Sequence, residues 1–444
     1  MSELTDFKID LLDVDVSGDF GEICRLLEDT KDCFFITGSA GSGKSTLLRY
    51  FKETSKKNVV VVASTGVSAV DIKGQTIHSF FRFPPKFIQE ENIRRVYGKQ
   101  DVFKEMDTLV LDEVSMVSAD IMDAIDSSLR LNRKIDLPFG GVQVIFFGDL
   151  FQLPPVVISK ELQDYYNYHY GSQYFFSAKI FDKIVLKYIE LDKIYRQEDG
   201  DFISLLNKVK YDQLTEVDLQ LMNKRVTVEL PQGENYITLT TTNRVAQQIN
   251  EYHLNKLHAR LFEYESEVSG DFKERQYPAD DSLRLKEGAQ IMMLRNDSKK
   301  RWVNGTLAQI AKLGRNSIKV RIKDDTYDVH MEMWENIAYC YNEEKKKIEG
   351  KSIGTFEQYP IKLAWAITIH KSQGKTFDRV AIDLGRKAFA HGQVYVALSR
   401  CRTLDGIYLQ RPIRSSDIVF DDRIKNFRDK FLKFDLAKPA SKHT

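Results

Sequence analysis

Gly38-Ser-Ala-Gly-Ser-Gly43-Lys44-Ser45 is the stretch on which the reading of this 444-residue chain turns. It fits the pattern G-x-x-x-x-G-K-[ST]. Glycines let successive backbone N–H groups turn inward around a β-phosphate, and a following helix adds its positive end. Gly38, Ser39, Ala40, Gly41, Ser42 and Gly43 are therefore a candidate phosphate cradle. Lys44 would reach the β- and γ-phosphates, Ser45 would ligate Mg²⁺, and Thr46 continues the first helical turn. The flanks agree with this. Cys33-Phe-Phe-Ile-Thr37 is an apolar run that predicts a buried strand, and Lys44 to about Thr54 carries a helical pattern. A Gly/Ser-rich surface turn is the bland alternative, and a strand before and a helix after argue against it.

A phosphate loop calls for an acidic site at the end of a neighbouring strand. Leu109-Val-Leu-Asp112-Glu113 supplies it. Asp112 would hold Mg²⁺ through water, and Glu113 would polarise the attacking water. The alternative is an acid pair that caps a helix. Gly148-Asp149-Leu-Phe-Gln152-Leu-Pro-Pro155 follows a further apolar run, Val142 to Phe147. A neutral amide can donate to a phosphoryl oxygen and accept from water, which suits Gln152 to sensing a γ-phosphate.

Further out, Val59 to Ala63 and Thr108 to Leu111 read as two more buried strands, and Ala119 to Leu131 as a helix. Alternating strands and helices predict a parallel sheet covered by helices. From about Leu283 to Tyr341 the period changes to two, as in Asn316-Ser-Ile-Lys-Val-Arg-Ile-Lys323 and Thr326 to Met331. Gly288, Gly305 and Gly314 punctuate this segment, and Asp324-Asp325 suits a hairpin turn. A small antiparallel barrel is predicted there. Glu343-Glu-Lys-Lys-Lys347 reads as a solvated loop at its exit. The α/β pattern resumes around it, with strands at Thr238 to Thr241 and Val380 to Leu384. The expected layout is α/β, with one domain at 1–190 and a second at 191–444 that the barrel interrupts at about 275–350.

Lys plus Arg number 65 and Asp plus Glu 64, a net charge of +1. That excludes a bulk polycation, so any nucleic acid must follow a local track of charge. Cys24, Cys33, Cys340 and Cys401 are far apart and form no metal-binding spacing, which predicts reduced thiols and no structural zinc. The start MSELTDFKIDLLDVD lacks a basic n-region with an apolar core, and no apolar run approaches a membrane span. A soluble intracellular protein without a membrane partner is the expectation.

Several stretches resemble, in this order, the motifs of superfamily 1 DNA helicases. They are Ala63-Ser-Thr65-Gly66-Val-Ser-Ala69, Gly74-Gln-Thr-Ile-His78-Ser79-Phe80-Phe81, Asp112-Glu-Val-Ser-Met116 and Gly148 to Pro155. Tyr195-Arg196-Gln197, Leu363 to Phe377 with His370-Lys371-Ser-Gln373-Gly374, and Gly392 to Arg402 with Arg400 complete the series. The wording is most similar to the PIF (petite integration frequency) family, which moves 5′→3′ on DNA, with RecD-type and phage Dda-type helicases as near relatives. The resemblance runs from about Phe35 to Arg411.

The resemblance implies two RecA-like P-loop domains with ATP and Mg²⁺ between them. Lys44, Glu113, Gln152, Arg196 and Arg400 would act on the phosphates, and Gln373 and Gly374 would face the nucleotide. Single-stranded DNA would lie on Thr65, Gly66, His78, Ser79, Phe80, Thr242, Asn243, His370 and Lys371. Asn304 and Gly305 of the barrel would lie near it. A wedge at about 80–100, with Phe83-Pro-Pro85 and Arg94-Arg95, would split the duplex at a single-strand/double-strand junction. A monomeric motor in replication, repair or recombination, active also on quadruplex DNA, is what the family suggests. One departure is clear. The family places a Gln-containing segment before the P-loop to read adenine, and this chain has no Gln before Gln75. Base selection then falls to backbone contacts or packing. Two other functions share parts of this pattern: a translocase that strips proteins without separating strands, and a P-loop switch with no DNA partner.

Overall fold

Six strands pair side by side into the first sheet, all but the short, polar third one carrying apolar runs. They are β1 (Cys33–Gly38), β2 (Val59–Ala63), β3 (Gln75–Thr76), β4 (Thr108–Asp112), β5 (Gln143–Phe147) and β6 (Leu186–Leu191). The computed structural model describes residues 19–430 except 85, 86, 158, 194–196, 198, 228 and 230–234. The strand order is β3-β2-β4-β5-β1-β6, and every pairing is parallel. Parallel strands are covered on both faces, which explains near-continuous apolar runs in place of alternation. The two faces still sort by period two. Phe34 and Ile36 pack with Leu47, Leu48 and Phe51 of helix Lys44–Thr54, while Phe35 packs on the opposite face with Phe175 and Tyr188. Helix Ala119–Arg133 covers that second face through Met122, Ile125 and Leu129.

The chain then lays down β7 (Ile237–Thr240), β8 (Leu261–Glu265), β9 (Glu267–Gly270), β10 (Ser282–Lys286), β11 (Gln290–Met293), β12 (Leu307–Gly314) and β13 (Ser317–Ile322). It continues through β14 (Asp325–Val329), β15 (Glu332–Asn342), β16 (Lys347–Gln358), β17 (Ile361–Leu363), β18 (Ala366–Thr368), β19 (Val380–Asp383) and β20 (Ile407–Leu409). Strands β18-β7-β19-β20 form a second parallel sheet. The strands between are antiparallel, in the orders β14-β13-β12-β11-β17, β15-β16-β9 and β10-β8. They begin at Leu261 and end at Leu363, outside the 275–350 window. The reason is physical: β9 is exposed along its whole length and carries no apolar alternation, and β8 turns only Phe262 and Tyr264 inward, too short a pattern to mark a boundary. The turn between β13 and β14 is Lys323–Asp324, one residue before the predicted Asp324–Asp325. The register pairs Ile322 with Asp325, and Lys323 takes the left-handed φ of 54°.

Hairpin β15–β16 reaches back onto the first sheet. Strand β3 pairs only with Val62 and Ala63. The Tyr339 hydroxyl meets both groups of the next residue: it accepts the Val61 N–H at 3.1 Å and donates to the Val61 carbonyl at 3.2 Å. The Ile348 N–H donates to Asn58 Oδ1 at 3.0 Å, and the Lys347 ammonium lies on the Lys56 and Lys57 carbonyls. The charge run read as a solvated loop is therefore a hairpin tip: residues 343–346 are exposed, and Lys347 is turned onto the first domain. Among the described residues no helix is long and apolar enough to cross a membrane, and no cluster of metal-binding side chains occurs.

Candidate functional site

The phosphate loop springs from the carboxyl end of β1. Gly41 and Gly43 both hold φ 87°, a region that side chains enter only under strain. A Cβ on Gly38 would lie 2.5 Å from Ser42 Oγ and 2.7 Å from the Leu191 carbonyl, so the turn there requires glycine. The Ser42 N–H donates to the Ser39 carbonyl at 3.1 Å. Lys44 Nζ donates to the carbonyls of Gly38 at 2.7 Å and Ser39 at 3.1 Å, folded over the loop. Ser42 Oγ is buried and has no hydrogen-bond partner among the described residues. An unsatisfied buried hydroxyl inside a ring of glycines fits an anionic ligand. Ser45 and Thr46 are exposed at the first turn of the helix that follows.

Strand β4, separated from β1 by β5, carries Asp112 to the same edge of the sheet. Asp112 is 8% exposed, and its carboxyl is pushed up to about 7, first by burial and then by the adjacent Glu113. Glu113 holds a left-handed φ of 51°, a strained backbone for a non-glycine residue. Two neighbouring carboxyls at a strand end are hard oxygen donors, and their chemistry fits a Mg²⁺–nucleotide.

Strand β5 ends beside Asp149, which is fully buried. It accepts from the Phe151 N–H at 3.1 Å, Gln152 Nε2 at 3.3 Å and the Tyr395 hydroxyl at 3.4 Å. Gln152 Oε1 in turn accepts from Gln373 Nε2 at 3.3 Å. The two glutamines join the two domains directly, and Gly374 follows at φ 76°.

Arg400 is 1% exposed. Its guanidinium donates to the carbonyls of Val396 at 2.9 Å and of Ser372 and Lys375 at 3.3 Å, and to Ser399 Oγ at 2.7 Å. These four partners belong to its own domain. Gln197 Nε2 donates to the Ser399 and Cys401 carbonyls at 3.1 and 3.2 Å, which ties Gln197 to the segment that carries Arg400. Arg196 itself lies outside the described residues.

The residues read as strand-binding fall on the same edges of both sheets. Thr65 caps helix Gly66–Asp71 after β2, and Thr242 caps helix Asn243–Lys256 after β7. Their hydroxyls accept the Ser68 and Val245 N–H groups at 3.2 and 3.4 Å. The domains thus repeat one device, a strand end leading into a capped helix N-terminus. Thr242 and Asn243 are exposed. A Cβ on Gly66 would lie 3.1 Å from Gln276 Cα, so the inserted strands approach this site closely. His78 is half-buried, and burial and the nearby Arg275 hold its pKa below the ordinary histidine value. The Ser79 N–H donates to Thr76 Oγ1 at 3.2 Å. His370 and Lys371 share one turn after β18, with the Lys371 N–H on Thr368 Oγ1 at 3.3 Å. Asn304 Oδ1 accepts from Lys375 Nζ at 2.7 Å, and Gly305, at φ 97°, backs onto the same lysine.

Phe80 needs correction. It is fully buried against Phe81, Phe103 and Tyr339, with Lys99 Nζ 4.7 Å from the ring centroid. It is a core residue, and the apolar surroundings that the hairpin provides were not visible in the local sequence. In the 80–100 segment Phe83 is likewise buried, stacked on Phe81, whereas Arg94 and Arg95 are exposed. Asp120 and Asn132 of helix Ala119–Arg133 pin its backbone by accepting the Ile88 and Val96 N–H groups at 3.1 and 2.8 Å. Three buried residues of the cleft escaped the sequence reading. Asp149 and Tyr395 stand inside motifs without being singled out, and Lys210 stands in none.

The geometry can be set beside known proteins. The model of the PIF1-like helicase family matches residues 20–219, that of the DNA helicase Pif1 2B domain matches 274–313, and a further helicase model matches 333–423. ATP-dependent DNA helicase PIF1 of Homo sapiens is 35% identical over 390 residues, which cover 84% of this chain and 57% of the human protein. The chain thus spans just over half the length of that relative. ATP-dependent DNA helicase Pif1 of Bdellovibrio bacteriovorus is 31% identical over 411 residues, covering 89% of this chain and 88% of the relative. The crystal structure of Bacteroides sp Pif1 in complex with ADP-AlF4 is 37% identical and superposes with a TM-score of 0.87, over 94% of this chain and 97% of that one. The Bacteroides protein bound to ssDNA superposes with 0.68 at 36% identity, over the same shares of the two chains. With two RecA-like domains, an ordered motif series and near-complete coverage of a relative more than 30% identical, this chain belongs to the PIF1-like helicase family.

Proposed function

We propose that the chain is an ATP-driven DNA helicase that tracks 5′→3′ along single-stranded DNA and opens duplexes at a junction. The observation that carries this is the Gln152–Gln373 contact at 3.3 Å. It joins the residue suited to sensing a γ-phosphate to the turn that bears His370 and Lys371, so nucleotide state and strand grip share one hydrogen-bonded path. The 5′→3′ direction rests on family likeness.

Ser45 and Asp112 would hold the Mg²⁺ of the nucleotide, which supplies a charge-neutralised phosphoryl group open to attack. Lys44 would leave the Gly38 and Ser39 carbonyls for phosphate oxygens. Glu113 would take the proton of the attacking water, and Gln152 would hold that water. Arg400 and Arg196 would bring positive charge from the second domain. Thr65–Gly66 and Thr242–Asn243 would each hold a backbone phosphate at a helix N-terminus, so that a change in domain spacing moves one grip against the other.

The test is the steady-state ATPase rate with and without single-stranded DNA, at low salt with Mg²⁺. Stimulation of about tenfold or more is expected, with unwinding of a fork that has a 5′ tail. An unchanged rate would overturn the reading in favour of a nucleotide switch. Stimulation without unwinding would favour a strand-tracking translocase.

Asp112 adds a pH signature. Its carboxyl sits at about 7 in the folded chain, against an ordinary value of 3.8. The folded state therefore holds the extra proton between these values. The stability this lends is complete below about pH 4 and is lost as pH rises through 7. Urea unfolding of the nucleotide-free protein is expected to give a stability lower by about 2 kcal/mol at pH 8 than at pH 5.5. Asp112→Asn should flatten the slope, and a slope that survives this change assigns it elsewhere.

A further inference from the structure

Lys210 is a buried cation that none of the motifs accounts for. It ends helix Gly200–Lys210, which packs on helix Gln393–Leu398 of the second domain, and it is 3% exposed. Its ammonium donates to Ser39 Oγ at 3.1 Å, with the rings of Phe151 and Tyr211 at 4.9 and 5.2 Å. A lone ammonium at this depth would shed its proton. Here Asp149 supplies the balancing charge, and the lysine pKa stands above its ordinary value.

Tyr395, on helix Gln393–Leu398, completes the arrangement. Its oxygen accepts the Ala40 N–H at 3.3 Å, and its hydroxyl donates to Asp149 at 3.4 Å. Tyr395 holds Ala40, and Ser39 beside it is held through both of its oxygens. The carbonyl accepts from Ser42 N–H and Lys44 Nζ, and the hydroxyl accepts from Lys210. Both outside anchors, Lys210 and Tyr395, come from beyond the domain that owns the loop. Tyr395 is hydrogen-bonded through Asp149 to Gln152 and onward to Gln373, and Lys210 shares Asp149 by charge.

We propose that Lys210 and Tyr395 are positioning residues of the phosphate loop: they fix Ser39 and Ala40 in the shape that receives nucleotide phosphates. The inference rests on the nucleotide-driven reading above and names two residues for it. Holding a loop in its bound shape beforehand removes part of the ordering cost of binding. Because Asp149 neutralises the ammonium, its contribution is directional: it donates to Ser39 Oγ and holds that hydroxyl in place. Since both anchors belong to the second domain, the loop is fully shaped only while the domains are together.

The experiment uses the full chain and a fluorescent N-methylanthraniloyl-ADP with Mg²⁺ in the absence of DNA, followed by kcat and KM for ATP at saturating single-stranded DNA. Tyr395→Phe removes one oxygen from a ring that stays packed. It is expected to weaken the ADP probe about fivefold and to raise KM by a similar factor. Affinity for single-stranded DNA without nucleotide should not change. Lys210→Met keeps the stem and loses the charge, with about twentyfold weaker binding expected, and Lys210→Arg should recover most of it. Wild-type affinity for the probe in Tyr395→Phe overturns the proposal, even if Lys210→Met fails to fold. An ATPase that ignores DNA in the wild type would remove the helicase reading, while weaker probe binding in these variants would still uphold the positioning role.

Discussion

Glu113→Gln is expected to lower DNA-stimulated ATP turnover by about 10³-fold without loss of nucleotide binding. An amide cannot take a proton from water, and Glu113 is the acidic neighbour that acts on Asp112. The substitution has a second effect. Glu113 is, after burial, the main reason that the Asp112 carboxyl is raised to about 7. Removing that negative neighbour lets Asp112 ionise at lower pH, which favours a bound cation. Mg²⁺–ADP affinity should therefore hold or tighten while hydrolysis stops. Single-turnover hydrolysis and equilibrium binding of the fluorescent ADP separate the two effects. A variant that still hydrolyses within tenfold of the wild type would place the base elsewhere.

Arg400→Lys is expected to reduce hydrolysis by about 10²- to 10³-fold while nucleotide affinity changes only severalfold. The guanidinium reaches three backbone carbonyls and one hydroxyl at once, between the 372–375 turn and helix Gln393–Leu398. Lysine keeps the charge and loses the planar fork. Alanine would leave those carbonyls unpaired in a dry site and would weaken the fold as well, which is why lysine is the cleaner probe. Wild-type turnover in Arg400→Lys with DNA present would make this arginine a purely structural clasp. A loss confined to turnover would mean that the guanidinium also serves the phosphates, by leaving part of its present set of partners.

Much of this was legible before the structure. The cradle, the Asp112–Glu113 pair and Gln152 follow from local patterns, because each sits where an apolar parallel strand ends and its loop begins. Helix Lys44–Thr54 and strand Val59–Ala63 fall where periodicity places them. What was not legible depended on contacts distant in the chain. Phe80 reads either as a motif residue beside a histidine or as ordinary core, and its contacts with Phe81, Phe103 and, far downstream, Tyr339 decide for core. Lys210 reads as the last lysine of an amphipathic helix, and only Asp149 and Ser39 turn it into a buried ion. Strand β9 is exposed throughout, and β8 offers only Phe262 and Tyr264 as an inward pair. A local pattern cannot contain partners as distant in the chain as Tyr339 is from Phe80, or Asp149 and Ser39 from Lys210.

The Tyr339 hydroxyl on Val61 has a consequence for how the chain is made. The two residues are 278 positions apart. A ribosome adding about 5–20 residues per second needs on the order of 15–60 s to span that distance. Throughout this interval β2 is already synthesised, while β3 covers only Val62 and Ala63. The nascent first domain thus carries an open strand edge, a template for pairing with the wrong chain. Synthesis speed and chaperone cover over that stretch, as much as the finished contacts, decide how many chains reach the native state.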